Sequence, residues 1–253
     1  MTGPGRWWLR KGDAGLSALL AAQGLTLFVA IPLGTVHPAA HVLLDACHLA
    51  FAAICVAVLT RHRAAQGALL TGLAVLAVGP VLGDRLSERL GLDTVGLHAM
   101  VAFTAFGFNG LVTALVARHV FGPGRITVHR VQGAVLLYLN VAALFAITYG
   151  ALETYAPGAI VPNAGHVLST APGERIAALT YFSLATITTT GYGDLAPVHP
   201  LARSLANLES VFGQLFPATL LARLVALQLA HGRGVAFASS AHDEKEPEGD
   251  GRA

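Results

Sequence analysis

The length of its apolar stretches is what most constrains how this chain can fold. Each stretch has about 18 residues or more, enough for a helix that crosses the ~30 Å hydrocarbon core of a bilayer. Only 12% of the residues are charged, about half the fraction that is usual in soluble domains. The sequence therefore predicts an all-α membrane protein with six transmembrane helices, in the apolar blocks 16–33, 41–60, 65–82, 95–118, 131–152 and 201–229.

The positive charges predict the orientation of these helices. If the N-terminus is cytoplasmic, twelve of the 16 Arg and Lys residues lie at inner ends and four at outer ends. This distribution follows the positive-inside rule. The expected location is the cell membrane, in contact with lipid, with both termini in the cytoplasm. A net charge of +2 gives no support for a nucleic-acid partner. Residues 153–200 then enter from the outer face and return to it.

The stretch TITTTGYGD, residues 186–194, interrupts this apolar pattern. Non-helical backbone at membrane depth is tolerated only where it is buried in protein or lines a wet cavity. We expect a short re-entrant helix over 175–188, followed by an extended return segment at 189–193. Glycines at 191 and 193 allow positive φ at alternate residues, so that successive carbonyls face the same way.

This motif, preceded by YFSLA and followed by LAP, resembles the selectivity filter of the tetrameric P-loop potassium channel superfamily. The resemblance covers about residues 131–230. It implies a homotetramer whose backbone carbonyls replace the hydration shell of K⁺, with no organic cofactor. The Thr189 hydroxyl would form the innermost ion site. The K⁺-binding filter implied by the resemblance consists of Thr189, Thr190, Gly191, Tyr192 and Gly193.

Two positions depart from the usual pattern of the family. Thr190 stands where valine or isoleucine is usual, and its hydroxyl needs a partner. Ala185 occupies the position where some relatives place an acid paired with the filter aspartate, so the sequence predicts no such pair. The residues expected to support the filter from around it are Thr188, Asp194, Tyr181 and Phe182.

The aromatic pair at 181 and 182 has two interpretations. Members of the family often carry an aromatic cuff around the filter at this position. Tyr181 would then reach Asp194 or a neighbouring tyrosine by a hydrogen bond and hold the strand at its diameter. The other interpretation is ordinary packing of the pore helix.

The last apolar block resembles the inner helix of the family. Gly213 lies twenty residues after Gly193, which matches the hinge glycine of the family, and Pro217 follows one turn later. Together they predict a gating hinge, although close packing would also explain Gly213.

Glu209 is costly inside a membrane span unless its side chain is paired or in contact with water. It either braces the pore helix through Ser or Thr hydroxyls or faces the cavity, which Gln214 would line.

The first four helices resemble a voltage-sensing domain without its charges. The fourth block carries only Arg118, at its cytoplasmic end, so the membrane potential exerts little force on it. We therefore expect no intrinsic voltage gating. The tail after residue 231 is expected to be disordered and too short for a ligand-binding domain, which leaves room for an unknown regulatory subunit.

Histidines on the second block form a second candidate site. His41, Asp45 and His48 are spaced i, i+4 and i+7, which places them on one face of a helix. His98 on the fourth block could approach them. The face is either an interhelical hydrogen-bond network or a sensor of protons or metal.

The function predicted from the sequence is passive, potassium-selective conduction, and no pattern indicates an enzyme. The alternatives are a K⁺ transporter subunit and a weakly selective cation channel. The predicted domains are a cytoplasmic N-terminus (1–15), a four-helix sensor-like domain (16–119), a cytoplasmic linker (120–130), a pore domain (131–231) and a disordered tail (232–253). Within the pore domain we expect an outer helix at 131–152, a turret at 153–174, a pore helix at 175–188, a filter at 189–193 and an inner helix at 201–230.

Overall fold

The computed structural model describes residues 4–37, 40–59, 66–75, 94–122, 128–163, 168–169 and 171–243. The chain divides into two compact units, residues 1–214 and 215–253. Most of the described residues are helical. The elements are α1 (Pro4–Leu25), a π-helical turn (Thr26–Ala30), α2 (Ile31–Val36), α3 (Ala40–Leu59), α4 (Gln66–Val75), α5 (Thr94–Phe121), α6 (Val128–Tyr155), β1 (Ile160–Pro162), α7 (Pro172–Ile187), β2 (Leu195–Pro197) and α8 (Pro200–Asp243).

Among the described residues, three stretches of helix are long and apolar enough to cross a membrane. They cover Gly15–Val36, Met100–Phe121 and Val128–Tyr155. Shorter apolar helical stretches cover Ala46–Ala57 and Gln66–Val75. A largely helical chain with candidate membrane-spanning helices is therefore confirmed. Six spans remain a prediction, because parts of the second, third, fourth and sixth apolar blocks lie outside the residues whose structure and burial are described.

Several helix bounds differ from those expected. The interval between α5 and α6 is shorter than the predicted linker, since α5 ends at Phe121 and α6 begins at Val128. The last helix continues to Asp243, past the point at which the tail was expected to become disordered. Extending an existing helix costs far less than nucleating a new one, which composition alone does not reveal. Residues 244–253 lie outside the described part of the chain.

Helix α6 lies at the centre of the packing in the first unit. It packs against α1, α5 and α7, and α2 also contacts α7. At the N-terminal end of α6, Ser17 of α1 donates a hydrogen bond to Gln132 Oε1 (2.5 Å), and its oxygen lies 3.0 Å from His129 Nδ1. Helix α7, which precedes residues 189–193, is therefore in contact with α2 as well as with α6.

A two-stranded antiparallel sheet joins the segment after α6 to the segment before α8. Its registered pairs are Ile160 with Pro197, Val161 with Ala196 and Pro162 with Leu195. Beneath it is a buried apolar cluster to which α6, α7 and α8 all contribute, with Tyr149, Leu179, Phe182 and Ala202 among its members. The sheet was not predicted from the sequence. It fixes the loop after α6 beside the segment that follows TITTTGYGD.

Candidate functional site

The backbone after α7 turns back onto the end of that helix. Helix α7 begins at Pro172, since proline suits the first helical turn, and it ends at Ile187. The Thr189 N–H donates to the Thr186 carbonyl (2.9 Å). The N–H groups of Thr190 and Gly191 both donate to the Ala185 carbonyl, at 2.9 and 3.1 Å. These bonds attach the start of the predicted filter directly to the helix.

The predicted filter has an alternating backbone conformation. Positive φ occurs at Gly191 (55°) and Gly193 (77°), as the sequence predicted, and also at Thr189 (57°). A β-branched residue rarely adopts this region, so the Thr189 conformation was not expected. Left-handed residues at every second position turn successive peptide groups toward one side. All five residues from 189 to 193 are exposed in the single chain.

The threonine side chains of this segment bond to each other. The hydroxyls of Thr188 and Thr190 are 2.9 Å apart. Thr188 Oγ1 also lies 2.7 Å from the Leu184 carbonyl, to which it can donate. Thr190 stands where the family usually has valine or isoleucine, so its side chain carries an additional hydroxyl. Thr188 provides the hydrogen-bond partner that this hydroxyl needs.

The two aromatic residues of α7 are placed differently. The Tyr181 ring stacks on the ring of Tyr192, with centroids 5.9 Å apart and planes 10° apart. The Tyr181 hydroxyl also donates a hydrogen bond to the Asp194 carboxylate. Phe182 is instead buried in the core, edge-on to Tyr149 at 5.1 Å. The geometry thus brings Tyr181 to the filter segment, whereas Phe182 joins α7 to α6.

Glu209 of α8 is fully buried, with 0% exposure. Its Oε2 accepts a hydrogen bond from the Tyr149 hydroxyl of α6 (2.8 Å), and its Oε1 is hydrogen-bonded to Ser183 Oγ of α7. These are the contacts that the bracing interpretation requires. Complete burial within one chain does not fit a residue that faces an open cavity.

Gln214 of α8 contacts the first residue of the predicted filter, residues 189–193. Its side-chain Nε2 donates a hydrogen bond to Thr189 Oγ1 (3.1 Å). Both residues are exposed in the single chain. The hydroxyl expected to form the innermost ion site is therefore held by an amide from α8.

Gly213 is a point of close approach between α8 and α7. A Cβ atom on it would lie 1.8 Å from the Ile187 carbonyl oxygen. That oxygen also accepts a hydrogen bond from the Tyr138 hydroxyl (2.7 Å). Close packing thus gives this glycine a structural reason of its own. Pro217 lies within α8, in the second unit, and the hinge stays a prediction.

Glu153, in the last turn of α6, was not identified from the sequence. Its side chain is 7% exposed, and its carboxylate accepts hydrogen bonds from the N–H groups of Gly158 (3.0 Å) and Ile160 (2.6 Å). Strand β1 starts at Ile160, and the Asn163 N–H that follows it donates to the Asp194 carbonyl (2.7 Å). Glu153 therefore anchors the start of the predicted turret, which contacts Asp194 directly after the predicted filter. An acid followed closely by Pro157-Gly158 at the end of an apolar block was the available signal.

We expect Glu153→Gln to loosen the turret. A glutamine side chain has one carbonyl oxygen, so one of the two backbone N–H groups would lose its acceptor and face an amide donor. A buried unpaired donor costs about 1–3 kcal/mol. The rate at which a protease cleaves between residues 156 and 171 should rise severalfold. Glu174→Gln is the matched control, because Glu174 is exposed in the first turn of α7. Equal cleavage rates in the two variants would contradict the anchoring role.

The histidine face is only partly described. His48 lies exposed on α3, whereas the side chains of His41, Asp45 and His98 lie outside the described residues. Within the described residues, no group of three His, Cys, Asp or Glu side chains could hold a metal ion. The network and the sensor both remain predictions.

Comparison with known proteins supports the assignment suggested by the filter. The family described as "Ion channel" matches residues 134–228. The inward rectifier potassium channel Kirbac3.1 of Paramagnetospirillum magnetotacticum is 37% identical over 103 residues, which cover 41% of this chain and 31% of that protein. The chain thus spans about a third of the length of this curated relative. The match covers α6, the turret, α7, the filter segment and most of the described part of α8. Over residues 134–228 the chain is therefore similar to the ion-channel family.

Proposed function

We propose that the protein is a potassium-selective channel that conducts K⁺ passively across the cell membrane. The observation that carries the proposal is the alternation of positive φ at Thr189, Gly191 and Gly193 on an exposed segment. Peptide carbonyls aligned in this way can replace the water around a dehydrated cation. The ligands would be the carbonyls of residues 189–192 and the Thr189 hydroxyl, with Gly193 at the outer mouth.

The proposal requires four copies of the chain, since one chain supplies one filter segment and a pore needs a ring. Exposed apolar side chains support an assembly of this kind. Helix α8 carries Leu201 (59% exposed), Leu208 (60%) and Val211 (54%) before its midpoint, and Tyr192 of the filter is 70% exposed. In a homotetramer neighbouring subunits would cover such surfaces.

The side chains around the filter have proposed roles that follow from their contacts. Tyr181 would hold the filter through Tyr192 and Asp194, and Gln214 would orient the Thr189 hydroxyl. Bending of α8 at Gly213 and Pro217 would open and close the inner end of the pore. Proline has no N–H for the helical bond to residue 213, which weakens the helix at that turn. Voltage would not gate the pore, because Arg118 is the only Arg or Lys in α5.

Reconstitution into liposomes tests this function. Vesicles loaded with K⁺ should release it passively when the protein is present, and the release should need no second ion or energy source. The purified protein should have the mass of four 26.1 kDa chains. Release that depends on a cotransported ion would favour the transporter alternative. A monomer would contradict the proposal.

A further inference from the structure

Ser183 has more hydrogen-bond contacts than its own proton can serve. Its Oγ lies 2.7 Å from the Ala142 carbonyl oxygen of α6 and is also hydrogen-bonded to Glu209 Oε1. A serine hydroxyl has one hydrogen to donate, and a backbone carbonyl has none. The contact with Ala142 therefore uses the serine proton. The contact with Glu209 needs a second proton.

The ionised form of Glu209 cannot supply that proton. A carboxylate only accepts hydrogen bonds, so Ser183 could serve either the carboxylate or the Ala142 carbonyl. The remaining pair of oxygens would then be in contact with no hydrogen between them. A protonated Glu209 removes the conflict. Its Oε1–H donates to Ser183, Ser183 donates to Ala142, and Tyr149 donates to Oε2.

The surroundings of Glu209 favour the same form. Glu209, Ser183 and Tyr149 are each 0% exposed. The hydrogen bonds of the carboxyl group that the structure describes are to two hydroxyls, of Tyr149 and Ser183. Burial disfavours an ionised carboxylate unless a cation or several N–H donors compensate it.

Glu153 provides a contrast within the same chain. Its two described partners are backbone N–H groups, which donate. Its carboxylate can accept both bonds while ionised, so its hydrogen bonding requires no added proton. The hydrogen bonds around Glu209 therefore require a protonated carboxyl group, whereas those of Glu153 do not.

We infer that Glu209 is held as a neutral carboxylic acid that donates a hydrogen bond to Ser183. It acts as a positioning residue, which joins α8 to α7 and α6 without adding negative charge behind the filter. The effect of this neutral charge state on conduction rests on the proposed function. Four ionised copies would attract cations to the pore, whereas four neutral copies would leave conduction to the filter.

Infrared spectroscopy of the assembled protein tests this inference directly. At neutral pH the wild type should show the carbonyl stretch of a protonated carboxylic acid. This band should disappear in Glu209→Gln and persist in Glu153→Gln. Glutamine can reproduce the neutral geometry, because its amide N–H can donate to Ser183 and its oxygen can accept from Tyr149. K⁺ release by Glu209→Gln should therefore stay within about twofold of the wild type.

Absence of the band, or its persistence in Glu209→Gln, would overturn the inference. If that variant fails to assemble, Ser183→Ala provides a second test. It removes the acceptor of the acid proton, so the band should shift in frequency, and an unchanged band would also overturn the inference. A wild type that shows the band but conducts no K⁺ would contradict the channel proposal alone.

Discussion

Replacing Gly191 by alanine is expected to abolish K⁺ flux. The residue has φ 55°, and an L-residue pays roughly 1–2 kcal/mol for the left-handed conformation. In the proposed tetramer, four subunits would pay that cost together, about 4–8 kcal/mol per channel, at the centre of the proposed conduction path. No atom outside the neighbouring residues lies within 4 Å of the added Cβ in the single chain. The expected defect is therefore conformational rather than steric. It is measured as K⁺ release from liposomes.

Gly107→Ala is the matched control for this variant. Gly107 lies in helix α5, also with nothing within 4 Å of an added Cβ, and it does not have a positive φ. Its K⁺ release should equal that of the wild type. Native mass measurement should find tetramers in both variants. Selective K⁺ flux through Gly191→Ala would show that the left-handed backbone is not needed for conduction.

Gly213→Ala is expected to prevent assembly of the pore. The new Cβ would lie 1.8 Å from the Ile187 carbonyl oxygen, and that oxygen is held by Tyr138. The obstacle is backbone at the end of α7, so relieving it must move the filter or α8. Overpacking in a core typically costs about 1–3 kcal/mol, and a backbone clash this close should exceed that range. The gain in helix propensity, about 1 kcal/mol, does not offset it.

The yield of tetramer in size-exclusion chromatography measures this effect. Gly110→Ala is the control, because Gly110 is helical and an added Cβ meets nothing within 4 Å. That variant should assemble as well as the wild type. A Gly213→Ala protein that assembles and conducts normally would contradict the close packing of α8 on α7.

A feature of this site could be predicted from the sequence where it depends on a single residue or on residues close together in the chain. Positive φ at Gly191 and Gly193 was predictable because glycine is the residue that adopts it at little cost. The burial of Glu209 against hydroxyls was partly predictable, since a charge in an apolar block needs partners. Its partner Tyr149 lies sixty residues away in the chain. No local pattern indicates such a contact.

Other features could not be predicted, for physical reasons that differ. Strands β1 and β2 have three residues each, too short for the alternation that identifies a strand. Glu153 owes its role to two N–H groups that only the folded turret brings to it. Thr189 adopts a positive φ although its side chain disfavours it. Its N–H bonds locally to the end of α7, whereas its hydroxyl accepts a tertiary hydrogen bond from Gln214 of α8.

The reversal potential under bi-ionic conditions measures the K⁺ selectivity proposed for the filter carbonyls. The purified protein is placed in a planar bilayer with K⁺ on one side and an equal concentration of Na⁺ on the other. If four sets of filter carbonyls select K⁺, current should flow from the K⁺ side at zero voltage, and the reversal potential should lie far from zero. A reversal potential near zero, with Na⁺ carrying as much current as K⁺, would contradict the account.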